Sequence, residues 1–481
     1  MTGTASRHAP PPRTAAGTPW GAVSIVLAGA FMAILDSFIV IVAGPAIQAE
    51  LGTSGGELQW ILAGYQLTYA VFLITGGRLG DLRGRKRVFI AGMALFTLAS
   101  VGCAVAQSAA VLIAARLAEG LGAALMLPQV YAAVTVLVPE KDRHRAFGYL
   151  GVVMGFATIG GQLVGGLLIG TDLFGSGWRS VFWINVPIGI ATILFAARYL
   201  PESRAALARG LDLPGVAVLS VALLLLTFPL IQGEQAGWPW WTWAGLAASC
   251  VAFALFGLVE RGTARRGGDP LLRLHLFRAR SFSVGIPLVV TIYALITSYY
   301  LVLSIALQEG LSMSALKAGL VYTPAAATFF VFSLIASRLV PRYGRRVLEI
   351  GAIVLAVGYA STVIVLTGGI SFTPAAVIPT LMLQSVGGGL LITPSLNAVL
   401  ARIAPGDAGI ASGVLSTAQQ VGAALGVAVI GAVFFTAFDS PSPGRSAAAH
   451  ALAMASIATA AIALVAAVLV YLLPSGRRRT S

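Results

Sequence analysis

Apolar residues along this chain fall in long, nearly unbroken runs, with polar positions gathered between them. A bilayer core of about 30 Å takes roughly 20 such residues as one α-helix, whereas a barrel strand would alternate. Bounded by charge, Gly/Pro or Trp, the runs predict fourteen helical spans. They lie near 20–44, 57–77, 88–107, 109–138, 146–170, 178–198, 212–232, 240–259, 282–307, 315–337, 347–367, 373–400, 408–436 and 450–473. Several exceed the minimum, so tilted helices are expected. The first run is too long for the apolar core of a signal peptide. Residues 1–19 ahead of it, with Pro10, Pro11 and Pro12, read as a disordered cytoplasmic tail.

Composition narrows the class. Of 481 residues 58% are hydrophobic and 10% charged, against about 25% charged in a soluble domain. Mean hydropathy is +0.89. So few charges cannot cover a soluble surface, which excludes a soluble enzyme, a disordered scaffold and a secreted disulfide domain. With the N-terminus inside, 27 of the 31 Lys and Arg residues fall on predicted inner segments. Arg116 lies within a span, and only Arg179, Lys317 and Arg445 lie outside. That bias predicts an even number of spans in the plasma membrane with both termini cytoplasmic. The net charge of +14 then follows from topology and the anionic inner leaflet, without a nucleic-acid partner. Cys103 and Cys250 lie in apolar runs, and His8, His144, His275 and His450 are scattered, so neither a disulfide framework nor a metal site is expected. Trp238, Trp240, Trp241 and Trp243 mark an outer interface between spans seven and eight.

A weak repeat runs through the chain. The loop after span two, Gly77–Arg87, matches that after span ten, Ser337–Arg346, at an offset of 260: Arg78 on Arg338, Gly84 on Gly344, Arg85 on Arg345. Spans four and twelve echo each other at 266, Pro128 on Pro394 and Pro139 on Pro405. The reading is an all-α membrane protein of two six-helix halves, 20–200 and 282–473, with two additional spans at 212–259 and a basic cytoplasmic tail at 474–481. Repeats of this kind build rocking transporters whose substrate site lies between the halves.

Three features carry candidate chemistry. Asp36 stands in the middle of span one, where an ionised carboxylate costs about 2.5–3.5 kcal/mol on insertion scales and needs a partner, water or a proton. Arg116 and Glu119 are three apart on span four, close enough to pair; Arg116 either neutralises Glu119 alone or also faces Asp36. In the Gly77–Arg87 segment, glycines permit a tight turn, Asp81 can cap a helix or pair with arginine, and Arg78, Arg85 and Lys86 hold it inside. That segment reads as a conformational latch or as a plain topogenic loop. Span five, Gly151–Gly166, carries small residues that let helices approach, with Gln162 as a polar group inside it. No Gly-x-x-x-x-Gly-Lys-Ser/Thr run offers an ATP site, so uphill transport would draw on an ion gradient.

These residues together resemble the major facilitator superfamily, and within it the fourteen-span drug–proton antiporters. Gly77, Asp81, Gly84, Arg85 and Lys86 match its loop signature, with Leu82 where a basic residue is usual. Arg116, Gly120 and Gly122 match the span-four motif whose arginine is implicated in proton transfer. Asp36, Ala43 and Pro45 match the span-one motif, in which Phe38 and Ile41 replace Thr and Asn. Gly161, Gly165 and Gly166 match the antiporter motif of span five, with Gln162 in place of its proline; W-I-N-V-P-I-G at 183–189 is similar to family members. The resemblance implies export of drugs, antibiotics or other amphiphiles in exchange for protons, with Asp36, Arg116 and Glu119 in proton coupling and no organic cofactor. Spans one, four, nine and twelve would line the cavity, with Tyr293, Tyr299, Gln384 and Asn397 as linings or as ordinary packing. A dedicated exporter of one metabolite is the alternative, then a proton symporter. A ligand-binding receptor and a membrane enzyme come after these.

Overall fold

A computed structural model describes residues 20–172, 175–204, 212–268, 270–400, 403, 408–438 and 444–474. The tail at 1–19, residues 475–481 of the basic tail, Arg402 and Pro405 lie outside the described residues. The described chain is helical, without strands. Its long segments are α1 (Trp20–Leu51), α2 (Gly55–Arg83), α3 (Arg85–Ala104), α4 (Ala109–Leu137), α5 (Glu140–Thr171) and the broken helix α6 (Gly177–Tyr199). After them come α7 (Leu213–Gln235), α8 (Trp240–Arg265), α9 (Arg280–Ile305), α10 (Ala315–Tyr343), α11 (Arg345–Thr367), α12 (Pro374–Leu400), α13 (Ala408–Phe438) and α14 (Arg445–Leu472). Among the described residues 13 helices are long and apolar enough to cross a membrane, and α5 is a helix of 32 residues at the fifth place. The protein is a multi-pass membrane protein.

Helix starts are set by local chemistry. Ser54 and Glu57 form a reciprocal capping box at α2, the Glu57 amide donating to Ser54 Oγ at 3.2 Å and the Ser54 amide to Glu57 Oε2 at 2.8 Å. Ser108 and Ser314 cap α4 and α10. Helix ends differ from the apolar runs in one instructive place. The segment Gly77–Arg83, read as a loop, is the last two turns of α2, and Gly84 alone separates it from α3. Charge ends a hydrophobic run without ending a helix, because Arg and Lys are good helix formers. Gly84 stops it with a φ of 107°, and Gly344 does the same between α10 and α11 with a φ of 56°. An offset of 260 carries Gly55–Arg83 onto Ala315–Tyr343 from end to end.

Helices in lipid gain nothing from hiding apolar surface from one another, so close backbone approach has to hold them. A Cβ added to Gly76 would lie 2.1 Å from the Ala124 carbonyl oxygen, and one at Gly120 would lie 2.4 Å from that of Tyr65, which fixes α2 on α4. The matching contact later in the chain is between α10 and α12, where a Cβ added to Gly389 would lie 2.8 Å from the Phe329 carbonyl oxygen, and one at Gly387 would lie 2.3 Å from the Leu355 nitrogen between α11 and α12. Helices before and after residue 212 meet along α5 with α10, α2 with α13 and α1 with α9. Gln308 of the π-turn after α9 donates to the Val42 carbonyl at 3.0 Å. The α7–α8 hairpin packs Val216, Leu219, Leu223 and Phe256 against Leu67 and Val71 of α2. The positions 260 further on, Ala327 and Val331, line instead an open apolar groove of about 690 Å³ between α10 and α12.

The glycine contacts are testable by pairs. Gly387→Ala drives a methyl into the α11 backbone and is expected to lower the thermal midpoint of the detergent-purified protein by at least about 3 °C. Gly257→Ala, on an open face of α8, is expected to leave it unchanged or raise it through better helix propensity. Equal midpoints for both would mean that close packing at Gly387 contributes no stability.

Candidate functional site

A charged cluster is sealed inside the first six helices. α4 carries Arg116 and Glu119, α1 carries Asp36, and their side chains are 1%, 0% and 0% exposed. Arg116 Nη1 donates to Asp36 Oδ2 and also to Glu119 Oε2, the latter at 2.7 Å. Its Nε donates to the Ile61 carbonyl at 3.1 Å, and the guanidinium lies over the Tyr65 ring, 4.3 Å from the centroid. Tyr65 in turn donates its hydroxyl to the Ala33 carbonyl at 3.0 Å. One guanidinium thus serves two carboxylates and ties α1, α2 and α4 together.

The other side of the cluster comes from α3 and α6. Asn185 Nδ2 donates to Asp36 Oδ1 and to Ser100 Oγ, each at 3.0 Å. Cys103 Sγ lies 3.6 Å from Glu119 Oε2 as a weak donor. Glu119 Oε1 and Asn185 Oδ1 are buried without a hydrogen-bond partner. Sequence reasoning did not single out Asn185, Tyr65, Ser100 or Cys103 as site residues. The signal for Asn185 was present: an amide inside the apolar run W-I-N-V-P-I-G has to find a buried partner.

The Gly77–Lys86 residues form a second polar assembly at the end of α2. Arg85 Nη2 and Asp81 Oδ1 pair at 2.8 Å, one turn apart across Gly84. The Lys86 amide donates to Glu202 Oε1 at 3.1 Å, its ammonium donates to the Ala197 carbonyl at 2.7 Å, and the Arg85 amide donates to the Ser203 carbonyl at 3.0 Å. Arg78 reaches the Pro270 carbonyl, in the segment before α9. Gly77 packs on Pro128 of α4. The later copy repeats the plan: Arg345 pairs with Glu349 at 2.7 Å and donates to the Tyr471 and Leu473 carbonyls at the end of α14. In each case a cation just after the one-residue break grips the helix three places on, Lys86 of α3 on α6 and Arg345 of α11 on α14.

The remaining candidates are spread over several helices. Gly161 and Gly165 let α5 lie on Phe38 and Ile39 of α1, and Gly166 abuts the Ala315 carbonyl of α10. Gln162 faces α10. Tyr299 and Gln384 are joined through Thr362, to which Gln384 Nε2 donates at 3.1 Å and the Tyr299 hydroxyl at 3.3 Å. They form an α9–α11–α12 polar network, and Tyr299 packs edge-on against Tyr359. Tyr293 is near Tyr131 of α4, and Asn397 is exposed on α12. Among the described residues no group of three or more His, Cys, Asp or Glu side chains is placed to hold a metal ion.

A family model described as Major Facilitator Superfamily matches residues 26–427, and again residues 285–481. The chain belongs to the major facilitator superfamily. Within it, 463 residues are 38% identical to a probable actinorhodin transporter of Streptomyces coelicolor, covering 93% of this chain and 80% of that one. The cephamycin export protein CmcT of Amycolatopsis lactamdurans is 34% identical over 94% of this chain and 91% of its own. The multidrug resistance protein Stp of Mycobacterium tuberculosis is 34% identical over 84% and 74%. Among solved structures, a partially occluded inward-open form of the Escherichia coli xylose transporter XylE superposes with a TM-score of 0.62 at 14% identity, covering 96% of this chain and 99% of that one. An auto-inhibited POT family peptide transporter gives 0.66 at 17%, covering 96% and 98%. Both show the shared superfamily fold.

Asn185→Leu keeps the side-chain branching and removes the donor to Asp36 and Ser100. It is expected to destabilise the protein by about 1.5–3 kcal/mol, the range for hydrogen bonds to charged groups, with Asn185→Ser between. Denaturation of the purified variants in one detergent measures this, and stability equal to wild type in both would show that Asp36 does not depend on the amide.

Proposed function

We propose that this superfamily member is a proton-coupled exporter of antibiotics or other amphiphiles. It has fourteen spans in the plasma membrane, two six-helix halves at 20–200 and 282–473 flanking the 212–259 hairpin, and both termini in the cytoplasm. The observation that carries the reading is the charge count of the sealed cluster. Asp36 and Glu119 share one guanidinium, so the group holds a net charge of −1 unless one carboxyl takes a proton. An unbalanced charge in a low-dielectric interior is costly, so the cluster has an inbuilt place for a single proton.

In the cycle this implies, a proton arriving from outside loads Asp36, weakens its contact with Arg116 and favours the inward-facing form. The proton leaves toward the cytoplasm as substrate enters from the cytoplasm or inner leaflet. With the termini inside, the Gln308–Val42 contact closes the outer side beyond Asp36. The Gly84 break and its grip on Glu202 and Ser203 couple the motion of α2 and α3 to α6. Energy comes from the proton gradient, without ATP or an organic cofactor. A second reading, dedicated export of one antibiotic, is favoured by relatives named for single compounds, actinorhodin and cephamycin.

Reconstituted vesicles with an imposed pH gradient and an internal pH-sensitive dye test the reading. Lipophilic cations, antibiotics and neutral amphiphiles are added to wild type and to Asp36→Asn. Expected are substrate-dependent proton release in wild type and its loss, by at least about tenfold, in the variant. Equal flux in both proteins would remove Asp36 from coupling and leave Glu119. A response confined to one chemical class would establish dedicated export.

A further inference from the structure

One face of α2 is covered by the rest of the chain, and the same face of α10 is bare. On α2 the stripe Trp60, Leu67, Val71 and Ile74 runs along one side at helical spacing. It packs against the α7–α8 hairpin and against Leu271 and Leu272 behind it. Trp60 meets Phe228 of α7 at 6.1 Å, and Arg78 at the end of the stripe reaches the Pro270 carbonyl. The positions 260 further on are Leu320, Ala327, Val331, Leu334 and Arg338 of α10, and all five are exposed. A groove between α10 and α12 deepens this bare face. Pro324, Ala327 and Val331 form one wall, and Pro379, Met382 and Val386 the other.

Charge decides what fits there. Arg338 and Arg342, one turn apart on α10, and Arg346, just past Gly344, are exposed at the end of the stripe. Among the described residues none of the three has a carboxylate partner, and the neighbouring acid, Glu349, pairs with Arg345 at 2.7 Å. Around the first joint, by contrast, Asp81 and Glu202 lie among the cations. From Arg338 back to Ala327 is about 16 Å of helix, one leaflet's share of a core about 30 Å thick. A headgroup at the arginines therefore sets an acyl chain along Leu334 and Val331 into the groove.

The hairpin of a second copy is the other cover that α2 suggests. Two copies in one membrane share an orientation, so that hairpin would bring the exposed Arg261, Arg265 and Arg266 of α8 to the arginine end of the stripe. Like charges would then meet, whereas a phosphodiester neutralises the cluster and its oxygens match the planar fork of arginine.

We propose that this face of α10 binds an anionic phospholipid, its phosphodiester headgroup held by Arg338, Arg342 and Arg346 and one acyl chain laid in the α10–α12 groove. The lipid takes on α10 the place that the hairpin takes on α2. Its source, the cytoplasmic leaflet, rests on the orientation proposed above; the contact itself requires neither that orientation nor export.

The test uses the full chain in neutral detergent, stripped of lipid, with native mass spectrometry counting bound molecules. The probes are dioleoylphosphatidylglycerol, dioleoylphosphatidylcholine and inorganic phosphate. Wild type is expected to hold its first phosphatidylglycerol at least about tenfold more tightly than phosphatidylcholine, without displacement by inorganic phosphate. Arg338→Gln/Arg342→Gln/Arg346→Gln is expected to weaken phosphatidylglycerol at least about tenfold, each charge near the surface being worth roughly fivefold. Ala327→Trp blocks the groove, leaves the arginines, and is expected to weaken it about threefold. Arg261→Gln/Arg265→Gln/Arg266→Gln removes the same charge at the hairpin base and is expected to change it by less than about twofold. An equal loss in the hairpin variant would show general attraction to a basic surface and overturn the site. Equal affinity for the two lipids, displacement by inorganic phosphate, or unchanged affinity in the α10 variants would each do the same. A purified dimer that Ala327→Trp dissociates would put a second copy on this face instead of lipid. If the α10 triple variant fails to fold, Arg338→Gln carries the comparison with an expected loss of about fivefold. Binding is measured without a pH gradient or a transported compound, so failure of antiport leaves the result standing.

Discussion

A guanidinium held between two carboxylates, away from water, constrains the helices around it. Each partner of Arg116 comes from a different direction: Asp36 from α1, Glu119 from its own α4, the Ile61 carbonyl and the Tyr65 ring from α2. Removing any of these would leave a charge or donor uncompensated in a low-dielectric interior. The cluster therefore fixes how α1, α2 and α4 sit more tightly than apolar packing in lipid does. Asn185 and Ser100 extend the network to α6 and α3, so a change of charge at Asp36 touches five helices.

Around that fixed point the protein is assembled from backbone contacts. Gly76, Gly120 and Gly122 seat α4, and Gly351, Gly358 and Gly387 join α11 and α12. Such surfaces hold by van der Waals contact and slide or separate with little side-chain rearrangement. Polar grips at helix ends join Lys86 to Ala197 and Arg345 to Tyr471, and within the bundle Tyr299 and Gln384 meet at Thr362. Smooth sides and gripped ends suit helices that move as groups.

Much of this was legible in the sequence because the bilayer simplifies the problem. Hydrophobic run length alone locates the helices, and the offset of 260 between Arg85 and Arg345 is visible in the loop motifs. An acid at position 36 and an Arg–Glu pair on span four announce themselves by cost. What stayed hidden depends on three-dimensional register. Nothing local in Asn185 tells which carboxylate it meets, and Tyr299, Gln384 and Thr362 converge from three helices. The boundary error at Gly77–Arg83 has a plain cause: hydropathy reports where lipid ends, and backbone hydrogen bonding continues past it.

The one-residue joint at Gly84 has a mechanical meaning. Consecutive α-carbons across a trans peptide are about 3.8 Å apart, and a single residue gives the connection no reserve of length. α2 therefore cannot be drawn along its axis by more than a few ångströms without dragging α3. Gly344 ties α10 to α11 under the same restriction. Each pair behaves as a folded rod with a short elbow, able to bend at the joint and unable to telescope.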